Sequence, residues 1–168
     1  MTILKIITYP DPILRKKCQQ VTEFDSSLQK LLDDMLETMY ADQGMGLAAN
    51  QVGVSKRIFI MDENPDNPQP IFFINPEIVL QSEELTEAEE GCLSFPGIRL
   101  MIKRPARVVV KALDREGREF ICEREGYPAR CLLHEYDHLD GITFFDHLSA
   151  LKRKMAEKKL VKYRQSLM

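Results

Sequence analysis

Two histidines and a glutamate lie close together near the end of the chain, in the run His134-Glu135-Tyr136-Asp137-His138. Residues four apart share one face of a helix, so His134 and His138 can offer two imidazole nitrogens to one metal ion. Glu135 lies beside them and can take a proton from water without itself binding the ion. The pattern predicts a metal-assisted hydrolytic site. The alternative is two histidines that are four positions apart by chance.

A third ligand is needed, because a catalytic divalent ion usually has three protein ligands and one open position. Downstream, His147 does not stand at the distance from the second histidine that the metzincin pattern requires. Upstream, Cys92 follows Gly91 in a predicted loop, where the backbone can approach an ion. Cys92 is therefore the candidate third ligand, and a small buried core residue is the alternative.

Hydrophobic spacing and turn residues predict the elements that position these side chains. The predicted elements are a helix over 26–40 with a capping box at Ser26 and Gln29, strands at 57–61 and 71–74, a loop over 83–90, a hairpin of 107–113 and 118–124, a helix bounded by Pro128 and Gly141, and a helix over about 149–164. One helix, then several strands, then two helices favour an α+β fold with mostly antiparallel sheets. A doubly wound sheet is not expected, because no crossover helices separate the strands.

Length and composition limit the class of protein. The chain has 168 residues, of which 44% are hydrophobic and 29% charged, and this fits one globular domain over 1–168. No apolar run approaches the ~20 residues of a membrane helix, and the first residues lack the pattern of a signal or transit peptide. We therefore expect a cytoplasmic protein without a membrane segment. The four cysteines show no CxxC spacing, which favours buried thiols or a ligand over disulfides.

Charge is unevenly distributed along the chain. The net charge is −3, yet residues 151–168 hold seven basic residues against one acidic residue, Glu157, a local charge of +6. The remaining 150 residues therefore carry −9, which argues against general binding to DNA or RNA. The basic tail can contact an anionic partner, and a solvated helix face is the alternative.

Three motifs together resemble those of the peptide deformylase family. They are Gly44-Met45-Gly46-Leu47-Ala48-Ala49-Asn50-Gln51, Glu90-Gly91-Cys92-Leu93-Ser94 and His134-Glu135-Tyr136-Asp137-His138, in the family's order and spacing. The opening run Tyr9-Pro10-Asp11 and the start of the tail also fit, so the resemblance covers nearly the whole chain. It implies antiparallel sheets around a central HExxH helix. It also implies an enzyme that removes the formyl group from the N-terminal formylmethionine of nascent chains and releases formate.

The resemblance assigns the metal site as well. Cys92, His134 and His138 would be the ligands of one divalent ion. In the family this ion is usually Fe²⁺, and we expect that Ni²⁺, Co²⁺ or Zn²⁺ can substitute for it. A thiolate ligand suits a softer metal and makes the site sensitive to oxidation.

The same resemblance gives roles to four further residues. Glu135 would be the general base and acid, and Gln51 with the backbone N–H of Leu93 would stabilise the oxyanion. Gly46 would let the loop backbone come close to the substrate.

The resemblance also places several supporting residues around the site. An ion pair between Glu90 and Arg104 would hold the Cys92 loop, and Arg99 would line the substrate groove, with surface salt bridges as the alternative for both. Met45, Arg130 and Cys131 would lie near the pocket for the methionine side chain.

Two residues depart from the family pattern. Arg130 is more polar than the family's usual residue at this pocket position, and Leu133 stands where glutamine commonly precedes HExxH. That glutamine is not a ligand, so we expect metal binding to persist, with altered helix packing or hydrogen bonding.

Three functions remain to be separated. The first is an active deformylase acting on N-formylmethionyl nascent peptides. The second is a catalytically silent member that binds ribosomes through the basic C-terminal helix, and the third is a general metallopeptidase. The presence of every motif residue favours the first. We further expect the tail from Leu151 to be dispensable for short formyl peptides but to support ribosome binding.

Overall fold

The computed structural model describes residues 2–64 and 66–168. Within these residues, three helices and seven strands make up the fold. In chain order these are α1 Ser26–Ala41, β1 Gly46–Ala48, β2 Ile58–Met61, β3 Ile71–Gln81, β4 Leu85–Gly91, β5 Arg99–Pro105, β6 Arg107–Leu113, β7 Glu119–Glu125, α2 Tyr127–Leu139 and α3 Ala150–Ser166. Short 3₁₀ turns at Pro12–Arg15, Ala49–Val52 and Phe144–His147 connect some of them.

The strands form two antiparallel sheets. One has five strands in the order β1-β2-β3-β6-β7, and the other is the hairpin of β4 and β5. Helix α2 contacts β1, β2, β6 and β7 of the large sheet and β5 of the small one. The predicted α+β fold with mostly antiparallel sheets is confirmed, and the helix that carries the HExxH motif lies where the two sheets meet.

Helix α2 begins and ends as its sequence predicts. Pro128 lies in its first turn, where a missing N–H costs nothing, and Gly141 follows its end with φ +72°. A Cβ at Gly141 would lie 2.4 Å from the carbonyl oxygen of Arg15, so no larger residue fits there. Apolar residues of α2 pack onto the large sheet, in a core that includes Phe59, Phe73, Val108, Val110, Ala129, Leu132 and Leu133. This packing fixes the helix that presents both histidines.

Two local predictions were wrong. Residues 83–90, predicted as a loop, include strand β4, whose side chains are mostly exposed and therefore show no apolar alternation. Pairing with β5 along its whole length supplies the hydrogen bonds that define the strand. Helix α1 is capped not by Ser26 but by Asp25, whose carboxylate accepts a hydrogen bond from the N–H of Leu28 at 3.0 Å.

Strand β3 is longer than the predicted 71–74. It continues through Asn75 and Pro76 to Gln81, with a register shift against β6 between Ile74 and Glu77. Asn75 adopts φ +51°. Its side-chain oxygen accepts a hydrogen bond from the N–H of Val21, and its side-chain nitrogen donates one to the carbonyl of Val21. A bulge therefore continues the strand where the Asn-Pro pair predicted its end.

Helix α3 packs on the body of the protein along one narrow face. Ala156 and Leu160 are buried in a cluster with Phe95, Phe144 and Phe145, while the lysines of the helix are exposed. Truncation before Leu151 would therefore expose part of this core as well as remove charge. Among the described residues, no helix combines the length and hydropathy needed to cross a bilayer.

Candidate metal centre and active site

The structure brings one cysteine and two histidines to one point. One ligand atom each from Cys92, His134 and His138 lies within 4.8 Å of the other two. The sulfur of Cys92 is 3.5 Å from Nε2 of His138. Both histidines are buried, and Cys92 is partly exposed at the end of β4. One thiolate and two imidazoles are a donor set that suits Fe²⁺, Zn²⁺, Co²⁺ or Ni²⁺, so these residues fit a divalent transition metal.

His134 is held through its ring, and His138 through the backbone of its helical turn. Nδ1 of His134 lies 2.8 Å from Oε1 of Glu90, which leaves Nε2 to face the cluster. The backbone carbonyl of His138 accepts a hydrogen bond from the side-chain amide of Asn50 at 2.7 Å. Arg57 donates to the carbonyl of Leu139 at 2.9 Å. Asn50 and Arg57 therefore satisfy carbonyls in the last turn of α2, next to the second histidine.

Burial and nearby charge set the protonation of the two rings in opposite directions. Burial holds the pKa of His138 well below its ordinary value, so this imidazole is neutral. Burial by itself also lowers the pKa of His134, but the Cys92 sulfur and the Glu90 carboxylate outweigh it and raise that pKa to about 10. Uptake of an ion would therefore release a proton.

Glu90 is an ionised carboxylate in a buried position. Arg104 donates to both of its oxygens, at 2.6 and 3.0 Å, and also to Asp137 at 2.8 Å. Burial alone would raise the pKa of Glu90, but the bonds from His134 and Arg104 hold it well below its ordinary range. The expected Glu90–Arg104 pair is thus present, at 3–4% side-chain exposure rather than on the surface.

Glu135 directly follows His134 in α2. It is 4% exposed, and its Oε2 has no hydrogen-bond partner in the part of the chain that the structure describes. Burial raises the pKa of Glu135 to about 7, which the charges of His134 and Arg104 only partly oppose. A carboxyl group with this pKa can both accept and donate a proton near neutral pH.

Gly46 makes room for Glu135. A Cβ at position 46 would lie 2.8 Å from Cγ and 3.1 Å from Cδ of Glu135. The backbone of β1 therefore passes directly over the carboxyl group, in contact that only glycine permits. The sequence predicted a close approach of this glycine to the substrate, and the structure shows its close approach to Glu135.

Both polar atoms of the Gln51 side-chain amide are hydrogen-bonded. Its Oε1 accepts from the N–H of Ala48 at 2.9 Å, and its Nε2 donates to Oγ of Ser94 at 3.0 Å and lies 3.5 Å from the Cys92 sulfur. The N–H of Leu93 has no hydrogen-bond partner among residues 2–64 and 66–168. Two donors therefore lie close to Cys92. Ser94, which orients the amide, was not singled out from the sequence.

A cavity of about 610 Å³ opens beside the cluster. It is bounded by Cys92, His134 and Glu135, and its other walls include Met45, Leu93, Phe95, Ile98, Tyr127 and Cys131. Arg99 also lines it and pairs with Glu89 at 3.1 Å, and both side chains are exposed. The mostly apolar walls suit an unbranched apolar side chain.

The two departures from the family pattern have structural explanations. Arg130 lines the cavity, as expected, but it is buried and its guanidinium binds Glu90. Leu133 is 5% exposed and packs in the apolar core of α2. His147 lies apart from the ligand cluster, with Nε2 bound to Asp137 at 2.8 Å.

A cysteine, two histidines and a buried carboxyl group beside an apolar cavity define the site of a metal-dependent hydrolase. The Polypeptide deformylase family model matches residues 3–154. Curated peptide deformylases from Cellvibrio japonicus and Thermodesulfovibrio yellowstonii are similar, at 48% identity (96% of both chains) and 50% identity (95% of this chain, 97% of the relative).

Solved structures agree with the sequence comparison. A peptide deformylase from Legionella pneumophila has a TM-score of 0.94 and 48% identity, with 98% of this chain and 97% of the other covered. One from Ehrlichia chaffeensis in complex with actinonin has a TM-score of 0.91 and 46% identity, with 97% and 98% covered. The chain belongs to the polypeptide deformylase family. It is a metallohydrolase that removes the formyl group from the N-terminal formylmethionine of newly synthesised polypeptides.

Proposed function

We propose that Cys92, His134 and His138 hold the catalytic ion of this enzyme and that Glu135, Gln51 and the backbone N–H of Leu93 carry out the hydrolysis around it. The observation that carries the proposal is the convergence of the three ligand atoms within 4.8 Å, beside a buried carboxyl group and an apolar cavity. The whole chain, 1–168, acts as one catalytic domain.

The proposed ion is Fe²⁺, with Ni²⁺, Co²⁺ or Zn²⁺ able to replace it. The mixed sulfur and nitrogen donor set supports this choice. When bound, the ion supplies positive charge that polarises the formyl carbonyl and makes water more acidic. The partly exposed thiol is the expected point of oxidative damage in air.

Glu135 moves the protons of the reaction. Its carboxylate takes a proton from the attacking water, and the resulting carboxylic acid gives a proton to the amine nitrogen as the C–N bond to the formyl group breaks. A pKa near neutrality suits both steps. Gly46 supports this role, because its bare backbone lets the carboxyl group lie against β1.

Gln51 and Leu93 stabilise the negative charge that develops on the formyl oxygen. The Gln51 amide is held by Ala48 and Ser94, so its Nε2 is already oriented before the substrate arrives. One such oriented donor is worth roughly 3 kcal/mol of transition-state stabilisation. The cavity beside them would take the methionine side chain, and we expect it to bind actinonin, as the Ehrlichia chaffeensis enzyme does.

Metal analysis combined with formate release tests the proposed site. Anaerobically purified protein should hold one divalent ion per chain and release formate from formyl-Met-Ala. Exposure of the iron-loaded enzyme to air should abolish activity, while the Ni²⁺ or Co²⁺ form should persist. Full activity of air-aged, iron-loaded enzyme without any reductant would contradict the proposed iron and thiolate site.

We also propose that the enzyme works in the cytoplasm and contacts the ribosome through α3. The support is the +6 charge of residues 151–168 and the exposure of Lys154, Lys158 and Lys162. Charge reversal of these three lysines to glutamate should weaken co-sedimentation with ribosomes at low salt. Reversal of Lys5, Lys17 and Lys56, which are also exposed, is the matched control. Equal co-sedimentation of the two triple variants would contradict ribosome binding through α3.

A further inference from the structure

Arg130 lies one helical turn before His134, on the same face of α2, and is 2% exposed. Its Nη1 donates to Oε2 of Glu90 and to the carbonyl of Ile102, both at 2.7 Å. Its Nη2 donates to the carbonyl of Thr86 at 2.6 Å and to the hydroxyl of Thr86 at 3.2 Å. Both terminal nitrogens of the guanidinium group are therefore bound inside the protein.

These bonds join the two elements that carry the proposed ligands. Thr86 belongs to β4, which ends immediately before Cys92, and Ile102 belongs to its partner strand β5. Arg130 belongs to α2, which carries both histidines. A single side chain thus connects the hairpin of β4 and β5, next to Cys92, with the helix that presents the imidazoles.

Arg130 also completes the binding of Glu90. Oε2 of Glu90 accepts from Arg104 and Arg130, whereas Oε1 faces Arg104 and His134. Arg104 is shared with the second carboxylate, Asp137. In the described residues, Arg130 forms an ion pair with Glu90 and with no other acid. When His134 is a neutral ligand, Arg104 and Arg130 therefore balance the carboxylates of Glu90 and Asp137, and loss of Arg130 would leave an excess negative charge next to His134.

We propose that Arg130 is a positioning residue of the metal centre, acting through Glu90 on His134 and through the hairpin on Cys92. This inference rests on the proposed ligand set. It does not make Arg130 a substrate-binding cation, because its guanidinium is occupied by Glu90, Thr86 and Ile102.

The test compares Arg130→Met, Arg130→Lys and Arg115→Met with the wild-type enzyme. Arg115 is a matched control, since it binds Gln29 and Asp33 of α1, away from the metal centre. The probe is Co²⁺, whose binding is measured by chelator competition and whose visible absorption reports the ligand geometry. Thermal unfolding and the kcat and KM for formyl-Met-Ala are measured on the same samples.

Arg130→Met should bind Co²⁺ about 10- to 100-fold more weakly, the range expected when a partner of a metal-binding histidine is disturbed. Its Co²⁺ absorption should shift, and kcat should fall with little change in KM. Arg130→Lys should recover part of the affinity, because it restores the charge without the planar fork. Arg115→Met should lower the unfolding temperature and leave Co²⁺ binding as in wild type.

Wild-type Co²⁺ affinity and absorption in folded Arg130→Met would overturn the inference. If Arg130→Met does not fold, Arg130→Lys decides, and wild-type affinity in that variant would overturn the inference equally. Cys92→Ala, measured alongside, separates the two levels of the proposal. Retention of Co²⁺ by Cys92→Ala refutes the ligand set, whereas its loss there with retention in the Arg130 variants refutes only the role of Arg130.

Discussion

Two buried carboxyl groups, Glu90 and Glu135, lie close to His134, and their surroundings differ sharply. Glu90 accepts hydrogen bonds from two arginines and faces a histidine ring, while Glu135, equally buried, has an oxygen without any partner in the described chain. The pKa of Glu90 is held well below its ordinary range, and that of Glu135 is raised by burial to about 7. A buried carboxylate that is paired with cations stays ionised and stabilises the structure. A buried carboxyl group without such a partner can take up and release protons near neutral pH.

The sharpest test of this contrast is a change at Glu135. Glu135→Gln keeps the size of the side chain and removes only its ionisable group, so the ion should remain bound. General acid–base groups contribute about 10²- to 10⁴-fold, and kcat should fall by at least that factor. Metal content per chain and formate release are measured together.

Cys92→Ala is the comparison variant for Glu135→Gln. It removes a proposed ligand, so metal content and activity should fall together. Hydrolysis of formyl-methionyl peptides by Glu135→Gln at near wild-type rates would show that the proposed mechanism is wrong.

The second test uses the stability of metal-free protein as a function of pH. The pKa of Glu135 rises from its ordinary 4.5 in the unfolded chain to about 7 in the folded one. Below pH 4.5 Glu135 is protonated in both states, so it does not change the free energy of unfolding. As the pH rises from 4.5 to 7 the unfolded state loses its proton first, so the folded state loses about 3 kcal/mol of stability relative to it.

Glu135→Gln cannot ionise and should escape this loss. Denaturant unfolding of the metal-free proteins at pH 4 and pH 8 measures this difference. The free energy of unfolding of the variant, relative to that of the wild type, should be higher at pH 8 than at pH 4. An identical pH dependence of the two proteins would mean that Glu135 is ionised in the folded state and that burial does not control it.

The third test disturbs the paired carboxylate. Glu90→Gln removes the negative charge that holds His134 and leaves Arg104 and Arg130 less well neutralised. We expect metal affinity to fall about 10- to 100-fold, with a smaller effect on the rate per bound ion. Chelator competition gives the affinity, and assays at saturating metal give the rate. A loss of rate at full metal loading equal to that of Glu135→Gln would contradict the division of roles.

The sequence predicted the reactive residues of the site better than the residues that hold them in position. HExxH on a helix and a cysteine after glycine indicate a ligand set, because ligand identity and helical spacing are local properties. The partners of Glu90 come from β5 and two places on α2, and no local pattern connects them. From the sequence, Arg130 was expected to be a polar residue in an otherwise apolar pocket. Only the tertiary structure shows that its guanidinium binds Glu90.

The fold shows the same division. The hairpin of β6 and β7 and the limits of α2 were predicted, since turn residues and apolar alternation are local signals. Strand β4 was missed, because most of its side chains are exposed and its stability comes from backbone pairing with β5. The bulge at Asn75 was missed for a similar reason, as the contact of its side chain with Val21 spans 54 positions.

The smallest expected effect concerns the space around Glu135. In Gly46→Ala the new Cβ would meet Cγ of Glu135 at 2.8 Å, closer than real Cβ contacts allow, so the carboxyl group must move. A displacement of a few tenths of an ångström should reduce kcat roughly tenfold while the ion stays bound, since rates depend on such positioning. Gly44→Ala is the control, because the nearest atom to its Cβ would be the flexible end of Leu93, at 3.0 Å. A larger loss of kcat in Gly44→Ala than in Gly46→Ala would show that the loop contacts the substrate more critically than it contacts Glu135.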